Sequence, residues 1–434
     1  MATSDEPFAC GGVSPDTGLI PGEARWTADV ARNPPLAHAP GVSGHHDSHL
    51  GLFLRFFRFG LLAWGGPVAQ IAMVREELVE REGWISRERF NRVLSVYQVL
   101  PGPEAHELCV YFGYVARGRL GGLLAGLGFM LPGFTLILAL SWLYVRYRIT
   151  DVVPNGLFYG FQAAVLALII RAVHRIGRHV LTDPWLWGMG LAATGADLAG
   201  VHFGVTLVVA GVTYAALRRR RFVLAAGVVL AATLAAVLLP ALHSALEPGP
   251  AVAATTTSTP SLARLFGSGL AAGLLTFGGA YTVIPFLRRE AVASGAWMTD
   301  AQFVDGIALS GILPAPLVIF GTFVGYVGGG LPGALVVTAG IFLPAFSFTL
   351  IGHRYIERLV DVPQFHSFLD GVTAGVVGLI AATTIRLAPT SVPDVPAGVV
   401  AAASLAVLYL WKSKMAIAAV ILGGGLLGIL VVRL

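Results

Sequence analysis

From about residue 52 to the C-terminus the sequence is a succession of apolar runs, each about twenty residues long. A helix rises about 1.5 Å per residue, so a run of ~20 crosses the ~30 Å hydrocarbon core of a bilayer. Recurrence of such runs predicts an all-α polytopic membrane protein. Composition excludes the soluble alternative. The 434 residues are 56% hydrophobic and 12% charged, where a soluble domain carries about 25% charged residues, so too few polar side chains exist to coat a globule. The first 49 residues differ: they are rich in Ala, Gly, Pro, Ser and Asp and have no long apolar core. They read as a disordered cytoplasmic tail, neither signal peptide nor span. Its "HHDSH" (His45, His46, His49) is a flexible His-rich tract, and no metal site or cofactor is expected. Cys10 falls in the tail and Cys109 in an apolar run, so no disulfide is expected.

The chain also repeats itself. Sliding the segment from Ser268 onto that from Phe59 by 213 positions superposes Gly65-Gly66 on Gly278-Gly279, Arg75 on Arg288, Glu77 on Glu290, Trp84 on Trp297 and "LPGP" (Leu100 to Pro103) on "LPAP" (Leu313 to Pro316). With single-residue slips the match runs on through Gly113-Tyr114 and Gly325-Tyr326, "LPGF" and "LPAF", and Arg175 and Arg386. Trp, Pro and Arg recurring at one offset mark a duplication. The chain divides into a first repeat (50–217), a linking helix and loop (218–262) and a second repeat (263–434).

Helices are expected at 56–74, 93–116, 121–145, 155–175, 183–198 and 202–217, then at 222–246 in the link, then at 265–286, 304–327, 331–351, 368–388, 395–411 and 415–432. That gives 12 or 13 spans. An odd number of spans ahead of the second repeat inverts it, and the basic residues follow. With the N-terminus in the cytoplasm, Arg117, Arg119, Arg171, Arg175, Arg178, Arg218 to Arg221, Arg288, Arg289, Arg354, Arg358, Lys412 and Lys414 all fall inside. The main misfit is the segment 75–92, with five Arg and five Glu, which this count puts outside; a paired helix folded into the protein would account for it, and Arg146 and Arg148 are a smaller misfit.

Two sites in each repeat break their apolar runs: "WGGP" (Trp64 to Pro67) with "LPGP", and "FGGAY" (Phe277 to Tyr281) with "LPAP". Proline removes a donor and clashes with the preceding turn. In hydrocarbon a freed backbone group is tolerated only where protein or water satisfies it. Matched breaks, one set per repeat, mark the substrate site of many secondary transporters. A helix restarting after a break aims free N–H groups and a partial positive charge into the gap, which suits an anion. The candidate binding residues are therefore Gly65, Gly66, Pro67, Gln70, Pro101, Gly102, Pro103, Glu104, Gly278, Gly279, Tyr281, Pro314, Ala315 and Pro316. Arg75 and Arg288, at equivalent positions, are candidates to attract or clamp an oxyanion; ion pairing with neighbours such as Glu77 and Glu290 is the alternative. Glu104, His106 and Glu107 follow "LPGP" inside an apolar run, where ionisable groups face a cavity or a partner. Leu317 stands where Glu104 has its equivalent, so the acid breaks the symmetry. Glu104 and His106 are thus candidates for proton coupling or gating, with pairing to an Arg as the structural alternative. The sequence has no Walker motif, no HExxH and no GxSxG flanked by strand and helix, and no enzyme is expected.

"FGLLAWGGPVAQIAMVREELVEREGWIS", "QVLPGPEAHELCVYFGYVARGRLGG", "FMLPGF" and the echoes "LLTFGGAYTVIPFLRRE" and "LSGILPAPLVIFGTFVGY" resemble the chromate ion transporter family, over about residues 52 to 430. Two copies in one chain resemble its long, fused type. The resemblance implies export of chromate across the bacterial inner membrane, chromate resistance, and ion-gradient energy rather than ATP. The family's signature falls on Gly65, Gly66, Pro67, Pro101, Gly102, Pro103 and Glu104, and on Gly278, Gly279, Pro314 and Pro316. "LPAP" departs from it at Ala315. Expected partners are a chromate- or sulfate-like oxyanion, protons as a candidate coupling ion, and the lipid bilayer; no nucleic acid is expected, and homo-oligomerisation is left open. A sulfate carrier and a passive anion channel are the alternative functions.

Overall fold

The computed structural model describes residues 47–147, 153–154, 156–246, 259–276, 279–352 and 363–433. Most of the expected tail, and with it Cys10, lies outside these residues, as do Gly278, Arg354 and Arg358. The described secondary structure is helical throughout, without a strand. In chain order the helices are α1 (His49–Leu61), α2 (Pro67–Val74), α3 (Arg87–Val99), α4 (Glu104–Tyr147), α5 (Leu157–Val180), α6 (Pro184–Leu198), α7 (Phe203–Arg218), α8 (Phe222–Leu246), α9 (Leu262–Leu274), α10 (Val283–Arg288), α11 (Asp300–Gly311), α12 (Phe320–Ser347), α13 (Pro363–Ser391), α14 (Val395–Leu410) and α15 (Ala416–Arg433). Five described segments are long and apolar enough to cross a membrane, lying in α4, α5, α12, α13 and α15.

Capping repeats as the sequence does. Ser48 and Ser261 cap α1 and α9 through their hydroxyls, Ser86 and Thr299 cap α3 and α11, and Asp183 and Asp394 cap α6 and α14. α4 and α12 share a kink as well. Arg117 (φ −144°) and Gly118 (φ 62°) have counterparts in Gly329 (φ −155°) and Gly330 (φ 59°). The left-handed residue of each pair is a glycine because a Cβ there would clash with its own backbone.

The sequence reads each broken run as a helix that carries on across the membrane, but the structure turns each one back. α1 enters the molecule, stops at Leu61, and α2 with a following wide turn (Arg75–Arg81) returns to the end where α1 began. Arg55, near the start of α1, pairs with Glu82, and its guanidinium lies over Trp84. α3 then enters and the first arm of α4 (104–116) returns beside it: Arg89 donates to the Tyr111 hydroxyl and Arg117 to the Asp47 carbonyl. The second repeat does the same. Arg264 at the start of α9 donates to the Ser294 carbonyl and covers Trp297, and Trp297 also meets Gly328 beyond the "LPAP" break. Each repeat therefore opens with two helical hairpins whose tips are the breaks, followed by a kink and a long helical arm.

The Arg-rich segment 75–92 thereby sits at the same end as the N-terminus, Arg117 and the Arg218–Arg221 run, and the main charge misfit of the sequence reading disappears, while Arg146 stays at the opposite end of α4. Arg288 and Arg289 move the other way. Arg289 donates to the Val201 carbonyl in the α6–α7 loop, opposite the end where Tyr214 of α7 bonds Asp183. The second repeat's hairpins thus enter from the opposite end to the first's, which is the inverted arrangement. Along the junction Gly122 and Gly126 of α4 face Leu350 and Phe346, so the two long arms run antiparallel.

A Cys10→Ser background carrying Arg87→Cys or Ala293→Cys tests this arrangement, since both positions are exposed and the native Cys109 is buried. A membrane-impermeant maleimide should label the two from opposite faces of sealed vesicles. Labelling of both from one face would refute the inversion.

Candidate functional site

Four hairpin tips meet in pairs, each pair combining one tip from each repeat. The first junction holds a small cavity of about 20 Å³. Trp64, Gly65 and Gly66 of the first repeat form one wall, and Tyr281, Gly311 and Ala315 of the second form another. Gly65 (φ +89°) and Gly66 (φ +78°) both adopt backbone that side chains rarely take. Their surroundings differ. A Cβ on Gly65 would lie 2.9 Å from the Lys414 Cα, so this glycine admits the backbone of the α14–α15 loop, whereas a Cβ on Gly66 would meet nothing within 4 Å. Gly66 is therefore the place where the backbone is open to a ligand. Among the described residues neither the Gly65 nor the Gly66 N–H donates to a backbone carbonyl. Pro67 follows as the first residue of α2, where a missing N–H costs nothing.

Gln70 is buried one turn into α2 and donates to the Ala63 carbonyl at 2.9 Å. Its amide nitrogen thus satisfies a carbonyl that the break would strand. Gly279, Pro314 and Pro316 flank the cavity rather than line it.

The second junction sets "LPGP" against the end of α9. Gly102 donates its N–H to the Thr276 carbonyl at 2.8 Å, so the "LPGP" tip abuts the chain just after α9. Glu104, His106 and Glu107 are all buried in the first turn of α4. His106 packs with ring centroids 4.8 Å from both Phe342 and Phe346, beside the Gly126 backbone. Neither carboxylate oxygen of Glu107 has a partner among the described residues. One of them lies 2.7 Å from where a Gly102 Cβ would be. The arginine pairing weighed for this cluster has no counterpart among the described ion pairs.

Neither Arg75 nor Arg288 lines the cavity. Arg75 pairs with Glu80 at 3.1 Å and covers Phe90. Arg288 makes a bidentate pair with Asp300 at 2.8 and 2.9 Å. Three residues stand out that sequence reasoning did not select. Lys414 lines the cavity; it had been counted only as a marker of sidedness. Glu107 is the more deeply buried acid of the α4 pair. Asp305 of α11 is 2% exposed and accepts from Tyr144 of α4 at 2.7 Å and Gln162 of α5 at 2.9 Å, tying the second repeat's hairpin to the first repeat. A lone acid in an apolar run was the available signal for Asp305.

Comparison with known proteins bears on what this arrangement serves. The chromate transporter family model matches twice, over residues 50–256 and 263–429. The chain is 55% identical over 390 residues to the chromate transport protein of Pseudomonas aeruginosa, covering 88% of this chain and 92% of that protein. It is 33% identical over 380 residues to the chromate transport protein of Cupriavidus metallidurans (87% and 92%), and 31% identical over 372 residues to a probable chromate transport protein of Synechococcus elongatus (82% and 88%). No solved structure matches. Matched twice along its length, and aligned with such relatives nearly end to end, the chain belongs to the chromate transporter family, as a fused long-type member with two copies in one polypeptide.

Proposed function

We propose that the protein is a secondary active transporter that exports chromate from the cytoplasm across the inner membrane and so confers chromate resistance. The observation that carries this reading is the cavity at the first junction, walled by hairpin tips of both repeats. Tips that belong to oppositely inserted hairpins can part on one side while closing on the other, which is alternating access about a fixed site. The end bearing Arg75 to Arg92, Arg117, Arg119 and Arg218 to Arg221 is the cytoplasmic one by the positive-inside rule.

The energy source follows from charge. Moving one charge through 100 mV is worth about 2.3 kcal/mol, so a dianion leaving a negative interior gains about 4.6 kcal/mol. At about 1.4 kcal/mol per decade that sustains roughly thousandfold exclusion. Proton exchange adds to this if a carboxyl at the second junction loads and unloads. Glu104 and His106 were the sequence candidates. Glu107 joins them because its carboxyl lies beside Gly102, in the space a side chain there would fill, at the inter-repeat contact. Because a site of backbone amides reads charge and shape rather than the central atom, sulfate is the competing substrate.

In inside-out vesicles, uptake of chromate should saturate and collapse when voltage and pH gradient are both dissipated; linear, gradient-independent flux would point to a channel instead. Gly66→Val and Gly102→Val should each lower uptake at least tenfold with the protein still in the membrane, and wild-type rates from both would remove the site. Glu107→Gln should lose the response to an imposed pH gradient while keeping the response to voltage. An unchanged pH response would take Glu107 out of coupling.

A further inference from the structure

We propose that Lys414 is the cation that takes up the oxyanion at the first junction, and that Arg171 and Arg175 draw the anion toward it from the same end of the molecule. The class of ligand rests on the transport reading above; the assignment of the residue does not.

Among the described residues Lys414 is the one charged residue in the cavity wall, and no described carboxylate lines it. Its place is built: the α14–α15 loop docks on the break, with the Lys414 backbone against Gly65, where no Cβ could be accommodated. Among the described residues Lys414 makes no ion pair, unlike Arg75 and Arg288, so its charge is not already spent on a carboxylate. Immediately after it α15 begins, and Ile417 and Ala418 of its first turn line the same cavity. Opposite, Gly66 caps the start of α2. Two helix N-termini thus bring about half a positive charge each, against about half a negative charge from the C-terminus of α11 at Ser310 and Gly311. The balance favours an anion only slightly until the full charge of Lys414 is added.

Arg171 and Arg175, on successive turns of α5, extend this field. α5 runs antiparallel to α15, with Gly156 against Gly428 and Gly160 against Gly424, so both arginines lie toward the end of α15 where Lys414 stands. Neither makes an ion pair among the described residues. A cleft ringed by one sign of charge concentrates its counter-ion and speeds its arrival. The device is present once. The loop equivalent to the one bearing Lys414 is residues 199–202, Ala-Gly-Val-His, with no lysine or arginine. The repeat that supplies two junctions therefore supplies this cation to only the one that holds the cavity.

The test is chromate uptake into inside-out vesicles from cells expressing the full chain, run beside calorimetric titration of the purified protein with chromate and with sulfate. Lys414→Gln should raise the half-saturating chromate concentration about tenfold or more, equivalent to about 1.4 kcal/mol of lost binding, and weaken both titrations alike. Lys414→Arg should stay within about threefold of wild type. Lys412→Gln, which removes a neighbouring charge outside the cavity wall, should change nothing; this separates anion capture from a topology signal. Unchanged half-saturation and unchanged titrations in Lys414→Gln would overturn the assignment, as would an equal loss in Lys412→Gln. A wild-type protein that moves no chromate would defeat the transport reading instead, and the titrations would still decide the role of Lys414.

Discussion

Hydrocarbon offers no hydrogen bonds, so a helix broken inside it must find partners for its stranded backbone groups within the protein, at several kcal/mol for each one left over. That constraint organises this molecule. The Ala63 carbonyl is taken by Gln70 and the Gly102 N–H by Thr276 of the other repeat. The "LPAP" tip closes on itself, with Ala315 donating to Leu313 and Leu313 to Ser310. A single copy would leave the Gly102 N–H without its acceptor, because that acceptor belongs to the second copy. Inversion is then the geometry that works: hairpins entering from opposite ends bring their tips to the same depth, while hairpins entering from one end would lie side by side.

The frame is symmetric and its chemistry is not. Caps, kinks and tips recur at nearly one offset, yet Glu104, His106 and Glu107 are matched by Leu317, Ile319 and Phe320. Lys414 has no basic counterpart in the α6–α7 loop. One junction is thus acidic; the other holds a small cavity with a lysine in its wall. A duplicated scaffold frees its halves to divide tasks in this way, since the backbone pairing that holds the tips together does not depend on these side chains. Asp305 adds a link between them, because its carboxylate joins α11, which ends at the cavity, to α4, which begins at the acidic junction.

Much of this was legible in the sequence, and what escaped did so for a physical reason. Hydropathy located α6 and α14 to within about a residue, and the Pro and Gly breaks mark where the described hairpins turn. Direction was not legible: a helix that turns back at Gly65 carries the same apolar run as one that continues, because both lie in hydrocarbon. The trace of the turn was the charged segment 75–92, whose five Arg and five Glu could not be placed outside without strain in the charge rule. Neither Arg288 nor Lys414 could be assigned its role from spacing. Whether a cation is consumed by a neighbour, as Arg288 is by Asp300, or left facing a cavity depends on which loops the fold brings together.

A transporter's site must also let go. A dianion held by a bidentate arginine in a dry pocket would have little reason to leave, since truncating one partner of a buried charge pair costs several kcal/mol and release is the same loss. The cavity avoids this. Arg171 and Arg175 stand back on α5, Arg75 and Arg288 are paired elsewhere, and the one cation among its described lining residues is an exposed lysine, a compact and strongly hydrated charge on a flexible stem. On the proposed reading, backbone amides at Gly65 and Gly66 would orient the anion without adding net charge. Occupancy that is favourable but shallow is what conduction through a membrane asks of a binding site, and here the weakness comes from the choice of lysine over arginine and from its place at the rim.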